Sequence, residues 1–151
     1  MSKGEVVLVG GGLGGSLMAI LLGKAGYAVR GIEMRPDARA GQAQGGRSIN
    51  LALSARGLHA LERVGLAREI LGLAVAMRGR MIHSQEGRTA FQPYGTSVDQ
   101  VNNSVSRTDL NVALLNPAER LPHVRFSFGL TVQAVDPERG EVTALDTATG
   151  A

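Results

Sequence analysis

An α/β fold is predicted for this 151-residue chain, because its first quarter has the pattern of a strand–helix–strand crossover. Residues Glu5–Val9 form a short apolar run with three valines, which is typical of a buried strand. A turn over Gly10–Gly15 leads into an apolar helix over Ser16–Lys24, which is predicted to end near Gly26. A second strand is predicted over Tyr27–Met34. The unit spans about 30 residues, the usual size of a βαβ crossover, and therefore predicts two parallel strands.

The middle of the chain predicts a loop, two helices and a hairpin. Polar residues rich in Gly, Ala and Arg follow the second strand and indicate a loop, and Ser54 can cap a helix that ends at Gly65. Glu86-Gly87 is a turn sequence between two alternating runs, which favours a hairpin. The predicted elements are the loop Arg35–Arg47, the extended segment Ser48–Leu53, a short helix Leu66–Leu71, and the paired strands Arg78–Ser84 and Thr89–Tyr94.

The last third predicts another helix and three strands. A polar loop over Gly95–Asn103 precedes the extended segment Ser104–Ser106, and Ser106-x-x-Asp109 has the outline of a capping box for a helix that starts at Thr108. Pro117 is expected to end or kink that helix near Asn116, because proline lacks the amide hydrogen that the helix needs. The strands are predicted over Val124–Phe128, Leu130–Val135 and Glu141–Thr147, with a turn over Asp136–Gly140 before the last of them.

Composition argues against several kinds of protein. A net charge of +3 without a run of Lys or Arg is weak support for nucleic-acid binding, and none is predicted. The chain has no cysteine and three scattered histidines, so neither a disulfide framework nor a metal site is predicted. No targeting or membrane-spanning segment is visible, so a cytoplasmic protein is expected. Only five aromatic residues are present, which indicates either an Ala/Val/Leu core or a domain whose core is incomplete.

The glycine turn matches a dinucleotide-binding motif, Gly10-x-Gly12-x-x-Gly15. Gly10 would permit a tight turn, Gly12 would let a pyrophosphate approach the backbone, and Gly15 would let the helix pack close to the strand. Glu33 stands 18 positions after Gly15, at the end of the second strand, where a carboxylate can accept hydrogen bonds from ribose hydroxyls. The motif therefore predicts an adenine dinucleotide in a Rossmann-like fold, although by itself it does not separate FAD from NAD.

Longer segments resemble the kynurenine 3-monooxygenase family, which are class A FAD-dependent hydroxylases with the para-hydroxybenzoate hydroxylase fold. The resemblance covers essentially the whole chain in order, and GRSINLALS and MRGRMIHS are more specific than the glycine motif. The segments are VGGGLGGSL from residue 9, GRSINLALSARG from residue 46, MRGRMIHS from residue 77, PYGT from residue 93, SVSRTDLN from residue 104 and NPAERLPHVRF from residue 116.

The resemblance implies bound FAD, NADPH as co-substrate, and the hydroxylation of L-kynurenine by O₂ to 3-hydroxy-L-kynurenine in tryptophan catabolism. It implies no catalytic side chain, because the flavin hydroperoxide carries out the reaction. Two substrate contacts are implied, Arg80 for the α-carboxylate of kynurenine and Tyr94 for the same group. Besides Gly10, Gly12 and Gly15, the implied FAD contacts are Leu13, Gly14, Ile32, Glu33, Met34, Arg35, Ala52, Arg107 and Val132.

The family also has later motifs that close on the flavin and that do not occur in these residues. Residues 1–151 are therefore expected to be the N-terminal part of a monooxygenase domain, truncated and inactive by themselves. Two alternatives are left open by the residues alone. One is an NAD-dependent oxidoreductase with a Rossmann domain, and the other is a non-catalytic fragment that binds a nucleotide.

Overall fold

A computed structural model of the chain describes residues 3–41, 49–97 and 100–150. These residues belong to two units, one formed by residues 1–47 and 110–151 and the other by residues 48–109. In chain order the elements are β1 (Glu5–Val9), α1 (Leu13–Lys24), β2 (Ala28–Glu33), β3 (Asn50–Leu53), α2 (Ala55–Val64), α3 (Ala67–Leu73), β4 (Val75–Met77), β5 (Gly79–His83), β6 (Thr89–Pro93), β7 (Asn102–Ser106), α4 (Arg107–Arg120), β8 (Val124–Phe128), β9 (Leu130–Asp136) and β10 (Glu141–Asp146).

The first unit is built on a three-stranded parallel sheet in the order β1-β2-β8. The central strand β2 places Val29 and Ile32 in the core, and α1 contributes Ala19 and Ile20, which are fully or almost fully buried. Gly31 of β2 lies opposite Phe126 of β8, whose ring takes up the space that a side chain at position 31 would need. Because the strands are parallel, β1 and β2 both end at the same edge, and the predicted nucleotide-binding residues follow those two ends.

An antiparallel hairpin of β9 and β10 completes the first unit. Its turn starts at Asp136, whose carboxylate accepts hydrogen bonds from the backbone amides of Glu138 and Arg139, both at 3.0 Å. This local bonding is the reason that an Asp begins such turns, and it confirms the turn predicted from the sequence.

The second unit contains an antiparallel sheet in the order β3-β7-β4 and a separate hairpin of β5 and β6. Ser54 caps α2 by accepting a hydrogen bond from Gly57, and Gly65 follows the end of this helix, as predicted. Leu61, Ile70 and Val105 are among the buried residues of this unit. The hairpin is different, because nearly all of its residues are exposed, including Phe91 at 57%.

Most predicted elements are present, although several of their bounds differ from the prediction. The first helix begins at Leu13, within the glycine turn, rather than at Ser16. Strand β4 was not expected, because its three residues are too few to show a pattern. A short 3₁₀ turn, Ala38–Ala40, lies in the predicted loop Arg35–Arg47, whose last six residues, like Ser48, fall outside the described part of the chain.

Pro117 was expected to end or kink its helix near Asn116. The predicted end is wrong, because α4 continues to Arg120, and the kink stays a prediction. Proline removes one amide from the helix, which leaves the carbonyl of Ala113 without that donor. The apolar face of α4 outweighs this loss. Leu114, Leu115 and Ala118 lie on both sides of the proline and are no more than 2% exposed. None of the described helices combines the length and apolar character needed to cross a membrane.

Candidate cofactor site

The turn between β1 and α1 is closed by backbone contacts that require glycine. Gly10 donates a hydrogen bond of 2.7 Å to the carbonyl oxygen of Ile32 in β2, and its φ of +103° lies where side chains are disfavoured. A Cβ atom at Gly15 would collide with the backbone carbonyl of Gly10. A Cβ atom at Gly11 would lie 3.0 Å from Cβ of Glu33, so the middle glycine is also in close contact. The sequence motif does not include Gly11.

The N-terminus of α1 has no side-chain cap. Gly12 is the N-cap residue, and the first amide to find an acceptor within the helix is that of Ser16, which donates to the carbonyl of Gly12 at 2.9 Å. Within the described residues, the amides of Gly12, Leu13 and Gly14 have no acceptor. A Cβ atom at Gly14 would meet nothing within 4 Å, and one at Gly12 would meet only Nη2 of Arg35, at 3.6 Å. A phosphate can therefore approach these free amides without meeting a side chain other than that of Arg35. Such an arrangement fits the pyrophosphate of a dinucleotide.

Glu33 is the buried carboxylate beside this turn, with only 6% of the residue exposed. Its Oε2 accepts from the Gly11 amide at 2.7 Å and from Nη2 of Arg35 at 3.3 Å. Its Oε1 accepts from the Arg35 amide at 3.0 Å and from Nε of Arg35 at 2.8 Å. Burial by itself would raise the pKa of Glu33, but the hydrogen bonds from Arg35 and Gly11 outweigh burial and hold the pKa below its ordinary value.

The four hydrogen bonds fill the acceptor capacity of the Glu33 carboxylate. Ribose hydroxyls can therefore bind Glu33 only if the guanidinium of Arg35 gives up one of its two bonds. The Arg35 side chain is 45% exposed, so it is free to turn toward solvent or toward a phosphate. The residues at this edge thus fit the adenosine diphosphate part of FAD, with Arg35 changing partners.

The lowered pKa of Glu33 predicts a pH dependence of folding. Ionised Glu33 stabilises the folded chain at pH values above its ordinary pKa of 4.5, and this stabilisation is lost as the pH falls through the lower pKa of the folded state. The Glu33→Gln variant is expected to be less stable than wild type at pH 7, and the difference should shrink toward pH 3. Urea unfolding at several pH values measures this difference.

The matched control is Glu5→Gln, because Glu5 forms only an exposed ion pair with Arg30 at 3.4 Å. This control should follow the wild-type pH profile. A Glu33→Gln chain whose stability difference from wild type is the same at pH 3 and pH 7 would contradict the assignment.

Two residues that sequence reasoning missed hold the carbonyl of Gly11. Ser16 Oγ donates to this oxygen at 3.0 Å, and Nδ2 of Asn111, from α4, donates to it at 3.0 Å. Ser16 has no exposed surface, and it begins the apolar run of the first helix. A hydroxyl in such a run was a usable indication of a buried hydrogen bond. Asn111 lies 100 positions from Gly11, and nothing local in the sequence connects them.

The segment after β2 is anchored by a second missed cluster, which is centred on Arg39. Its guanidinium binds both carboxylate oxygens of Asp37 and reaches Oε2 of Glu119 in α4 at 2.7 Å. The same group lies over the ring of Phe128, 5.5 Å from its centroid. These contacts, with the hydrogen bond from Gly129 to the Arg35 carbonyl at 3.2 Å, tie the chain that follows Glu33 to α4 and to the end of β8.

The remaining predicted FAD residues are spread over both units. In the first unit Ile32 is buried in β2, Met34 is 61% exposed, and Val132 is half-buried in β9. In the second unit Ala52 lies exposed in β3 opposite Ser104, and Arg107 is the exposed first residue of α4. Only the residues from Gly10 to Gly15 and from Ile32 to Arg35 are brought together by contacts described above. The roles of Ala52, Arg107 and Val132 stay predictions.

The two predicted substrate residues lie on the β5–β6 hairpin. Arg80 is opposite Gln92, and its Nε donates to Oε1 of Gln92 at 2.8 Å. Tyr94 directly follows β6, and its amide donates to the carbonyl of Arg78 at 3.0 Å, which continues the ladder. Because side chains alternate along a strand, Arg80, Gln92 and Tyr94 belong to the same face of the hairpin. Among the described residues no group of His, Asp or Glu side chains is arranged to hold a metal ion.

Comparison with known proteins gives relatives that share nearly all of this chain. It is 49% identical over 148 residues to a kynurenine 3-monooxygenase of Myxococcus xanthus, and the matched residues make up 98% of this chain and 32% of the relative. It is 42% identical over 145 residues to a kynurenine 3-monooxygenase of Anopheles gambiae, and the matched residues make up 96% of this chain and 30% of the relative. The chain therefore spans about a third of the length of these curated relatives.

Solved structures confirm the predicted fold. One is the flavin-dependent monooxygenase PieE in complex with FAD and substrate, which is 19% identical in sequence and has a TM-score of 0.73. The match covers 100% of this chain and 28% of the PieE chain. Another is the p-nitrophenol 4-monooxygenase PnpA of Pseudomonas putida, which is 23% identical and has a TM-score of 0.67. The match covers 89% of this chain and 34% of the PnpA chain. The family of FAD binding domains matches residues 3–150. The chain, with its uncapped helix beside a buried glutamate, thus belongs to the FAD binding domain family and has part of the fold of the para-hydroxybenzoate hydroxylase type.

Proposed function

We propose that this chain holds the adenosine diphosphate part of FAD at the edge where β1 and β2 end. The observation that carries this proposal is the uncapped N-terminus of α1 beside buried Glu33. The free amides of Gly12, Leu13 and Gly14 and the positive end of the helix would bind the pyrophosphate. Glu33 would accept hydrogen bonds from the ribose, and Arg35 would exchange one carboxylate oxygen of Glu33 for an anionic group on the cofactor.

We propose further that the whole enzyme hydroxylates L-kynurenine to 3-hydroxy-L-kynurenine with O₂ and NADPH. The support is that the relatives named kynurenine 3-monooxygenase share 96–98% of this chain at 42–49% identity. Bound flavin supplies the redox chemistry, namely electron transfer from NADPH and the activation of O₂. The described residues then bind and orient, and none of them is needed as an acid, base or nucleophile.

The exposed hairpin bears on what residues 1–151 can do alone. Arg80 and both strands of its hairpin, β5 and β6, are exposed on both faces, so water reaches any ligand bound there. Hydroxylation needs a site from which water is excluded. We therefore propose that these residues bind the cofactor but do not hydroxylate kynurenine by themselves.

The cofactor proposal is tested by titrating the chain with FAD and, separately, with NAD⁺. Quenching of flavin fluorescence, with isothermal titration for NAD⁺, gives the two dissociation constants. Tighter binding of FAD than of NAD⁺ is expected. The reverse order would favour an NAD-dependent oxidoreductase, and binding of neither would contradict the proposal.

The substrate proposal predicts a large effect of Arg80→Met on kynurenine binding by the whole enzyme. A guanidinium that forks onto the α-carboxylate forms charge-assisted hydrogen bonds, and their loss should weaken binding by about 1.5–3 kcal/mol, or roughly 10- to 100-fold. Tyr94→Phe should have a smaller effect, about 0.5–1.5 kcal/mol for one neutral hydrogen bond. The affinity for kynurenine and the ratio of hydroxylated product to hydrogen peroxide are measured, and flavin content should not change.

Arg88→Met is the matched control for this substitution. Arg88 lies at the closed end of the same hairpin, and its side chain forms an exposed ion pair with Glu86 at 3.8 Å. Its variant should bind kynurenine like wild type. If Arg80→Met also binds kynurenine as tightly as wild type, Arg80 is a solvated hairpin residue and not a substrate contact.

A further inference from the structure

The polar groups of the Gly11 backbone are all engaged by side chains, although Gly11 is outside the recognised motif. Its amide donates to Oε2 of Glu33 at 2.7 Å. Its carbonyl oxygen accepts from Ser16 Oγ and from Nδ2 of Asn111, both at 3.0 Å. Three elements, β2, α1 and α4, therefore meet at a single residue of the turn. We infer that Ser16 and Asn111 are positioning residues, which hold the Gly11–Gly12 peptide in the orientation that pyrophosphate binding requires.

The hydrogen-bond pattern is internally consistent. The carbonyl oxygen of Gly11 can only accept, so the group of Asn111 that faces it must be the amide nitrogen. The same Nδ2 donates to Ser16 Oγ at 3.2 Å, and Ser16 uses its single proton on the Gly11 carbonyl. Ser16 is fully buried and Asn111 is partly buried. Buried polar groups with every donor matched in this way favour one arrangement of the backbone over the others.

Peptide geometry links this carbonyl to the amide that follows it. The described chain contains no cis peptide bond, so the carbonyl of Gly11 and the amide hydrogen of Gly12 point in opposite directions across one rigid plane. When Ser16 and Asn111 hold the carbonyl on their side, the Gly12 amide faces the other side. That amide is the first of those at the start of α1 that lack an acceptor within the described residues.

The turn needs such a restraint because Gly10, Gly11 and Gly12 follow one another. Glycine has a wide choice of backbone conformations, so three in succession would otherwise populate several orientations of the Gly11–Gly12 peptide. A ligand that binds only one orientation has its apparent affinity reduced by the fraction of molecules in that orientation. Ser16 and Asn111 would raise this fraction before the ligand arrives. The inference rests on the proposed function, since it assumes that the turn binds the pyrophosphate of FAD.

The test compares ligands with and without phosphate in three single variants. Ser16→Ala and Asn111→Leu each remove a donor to the Gly11 carbonyl, and Asn116→Leu is the control, because Asn116 is an exposed residue of the same type on the same helix. Dissociation constants are measured for FAD, ADP and adenosine by isothermal titration. Ser16→Ala and Asn111→Leu should weaken FAD and ADP binding by about tenfold, as expected for a single neutral hydrogen bond, and leave adenosine binding within about twofold.

A double variant and an experiment without ligand strengthen the test. Because both side chains act on one carbonyl, Ser16→Ala with Asn111→Leu should weaken ADP binding by much less than the product of the single effects. Without ligand, the amide of Gly11 should exchange its hydrogen faster in both single variants than in the control. Circular dichroism verifies folding, and Ser16→Ala decides the test if Asn111→Leu does not fold.

Several results would overturn the inference. If Ser16→Ala and Asn111→Leu bind ADP within about twofold of wild type, the two residues do not position the turn. If adenosine binding falls together with ADP binding, their role is general stabilisation of the unit. If the wild-type chain binds FAD but the variants do not differ from the control, only this inference fails. If wild type binds neither FAD nor ADP, the proposed function fails with it.

Discussion

A Gly12→Val chain is expected to lose FAD binding and to keep a stability similar to that of wild type. In the structure Gly12 has φ −72° and ψ −170°, an extended conformation that valine adopts without strain. A Cβ atom there would meet only the exposed guanidinium of Arg35, at 3.6 Å. The new side chain would instead fill the space above the free amides of α1, where a phosphate has to approach the backbone.

Flavin fluorescence measures the affinity in this experiment, and urea unfolding measures the stability. The free energy of unfolding should fall by about 1 kcal/mol, because glycine is a better N-cap residue than valine. Gly72→Val is the control, since Gly72 in α3 has nothing within 4 Å of its Cβ position. If Gly12→Val retains the flavin occupancy of wild type, the pyrophosphate does not bind at this turn.

A Gly15→Ala chain is expected to lose stability, whereas Gly12→Val, at another glycine of the same motif, is expected to keep it. The added Cβ would collide with the backbone carbonyl oxygen of Gly10 and approach its carbonyl carbon to 3.0 Å. This carbonyl cannot simply rotate away, because it shares a rigid peptide plane with the amide of Gly11, which donates to Oε2 of Glu33 at 2.7 Å. The helix would have to move off the sheet. Overpacking of this kind destabilises proteins by about 1–3 kcal/mol, and contact with backbone favours the upper end.

The neighbouring glycine provides a matched control for this variant. Gly14 lies in the same helical turn, and a Cβ atom there would meet nothing within 4 Å. Gly14→Ala should therefore be as stable as wild type or more stable, by up to about 1 kcal/mol, since alanine favours the helix. Urea unfolding of both variants measures the difference. Equal stability of Gly15→Ala and Gly14→Ala would show that the close approach of helix and strand is not needed.

Local patterns determined most of the fold in advance. The apolar run before Gly10, the two capping serines and the alternation on both sides of Glu86-Gly87 act within a few residues, so sequence is sufficient to locate β1, α2, α4 and the β5–β6 hairpin. Boundaries were less accurate, because α1 begins at Leu13, within the motif. Pro117 was misjudged for a related reason. Its local preference is to end a helix, but the buried residues of α4 on both sides of it stabilise the helix more than one missing hydrogen bond destabilises it.

The candidate site also has residues that the sequence reveals and contacts that only the structure reveals. Residues Gly10 to Gly15 and Glu33 were recognisable from the sequence, since a fixed spacing after a strand is enough to place them at one sheet edge. Only the tertiary structure shows that Arg35 and the Gly11 amide together saturate the Glu33 carboxylate, and that Ser16 and Asn111 hold the Gly11 carbonyl. These contacts depend on side-chain direction and on an α4 residue 100 positions away from the turn. Hydrogen bonds act over about 3 Å, so a residue that is distant in sequence can be assigned such a role only when the folded chain has brought it within that distance.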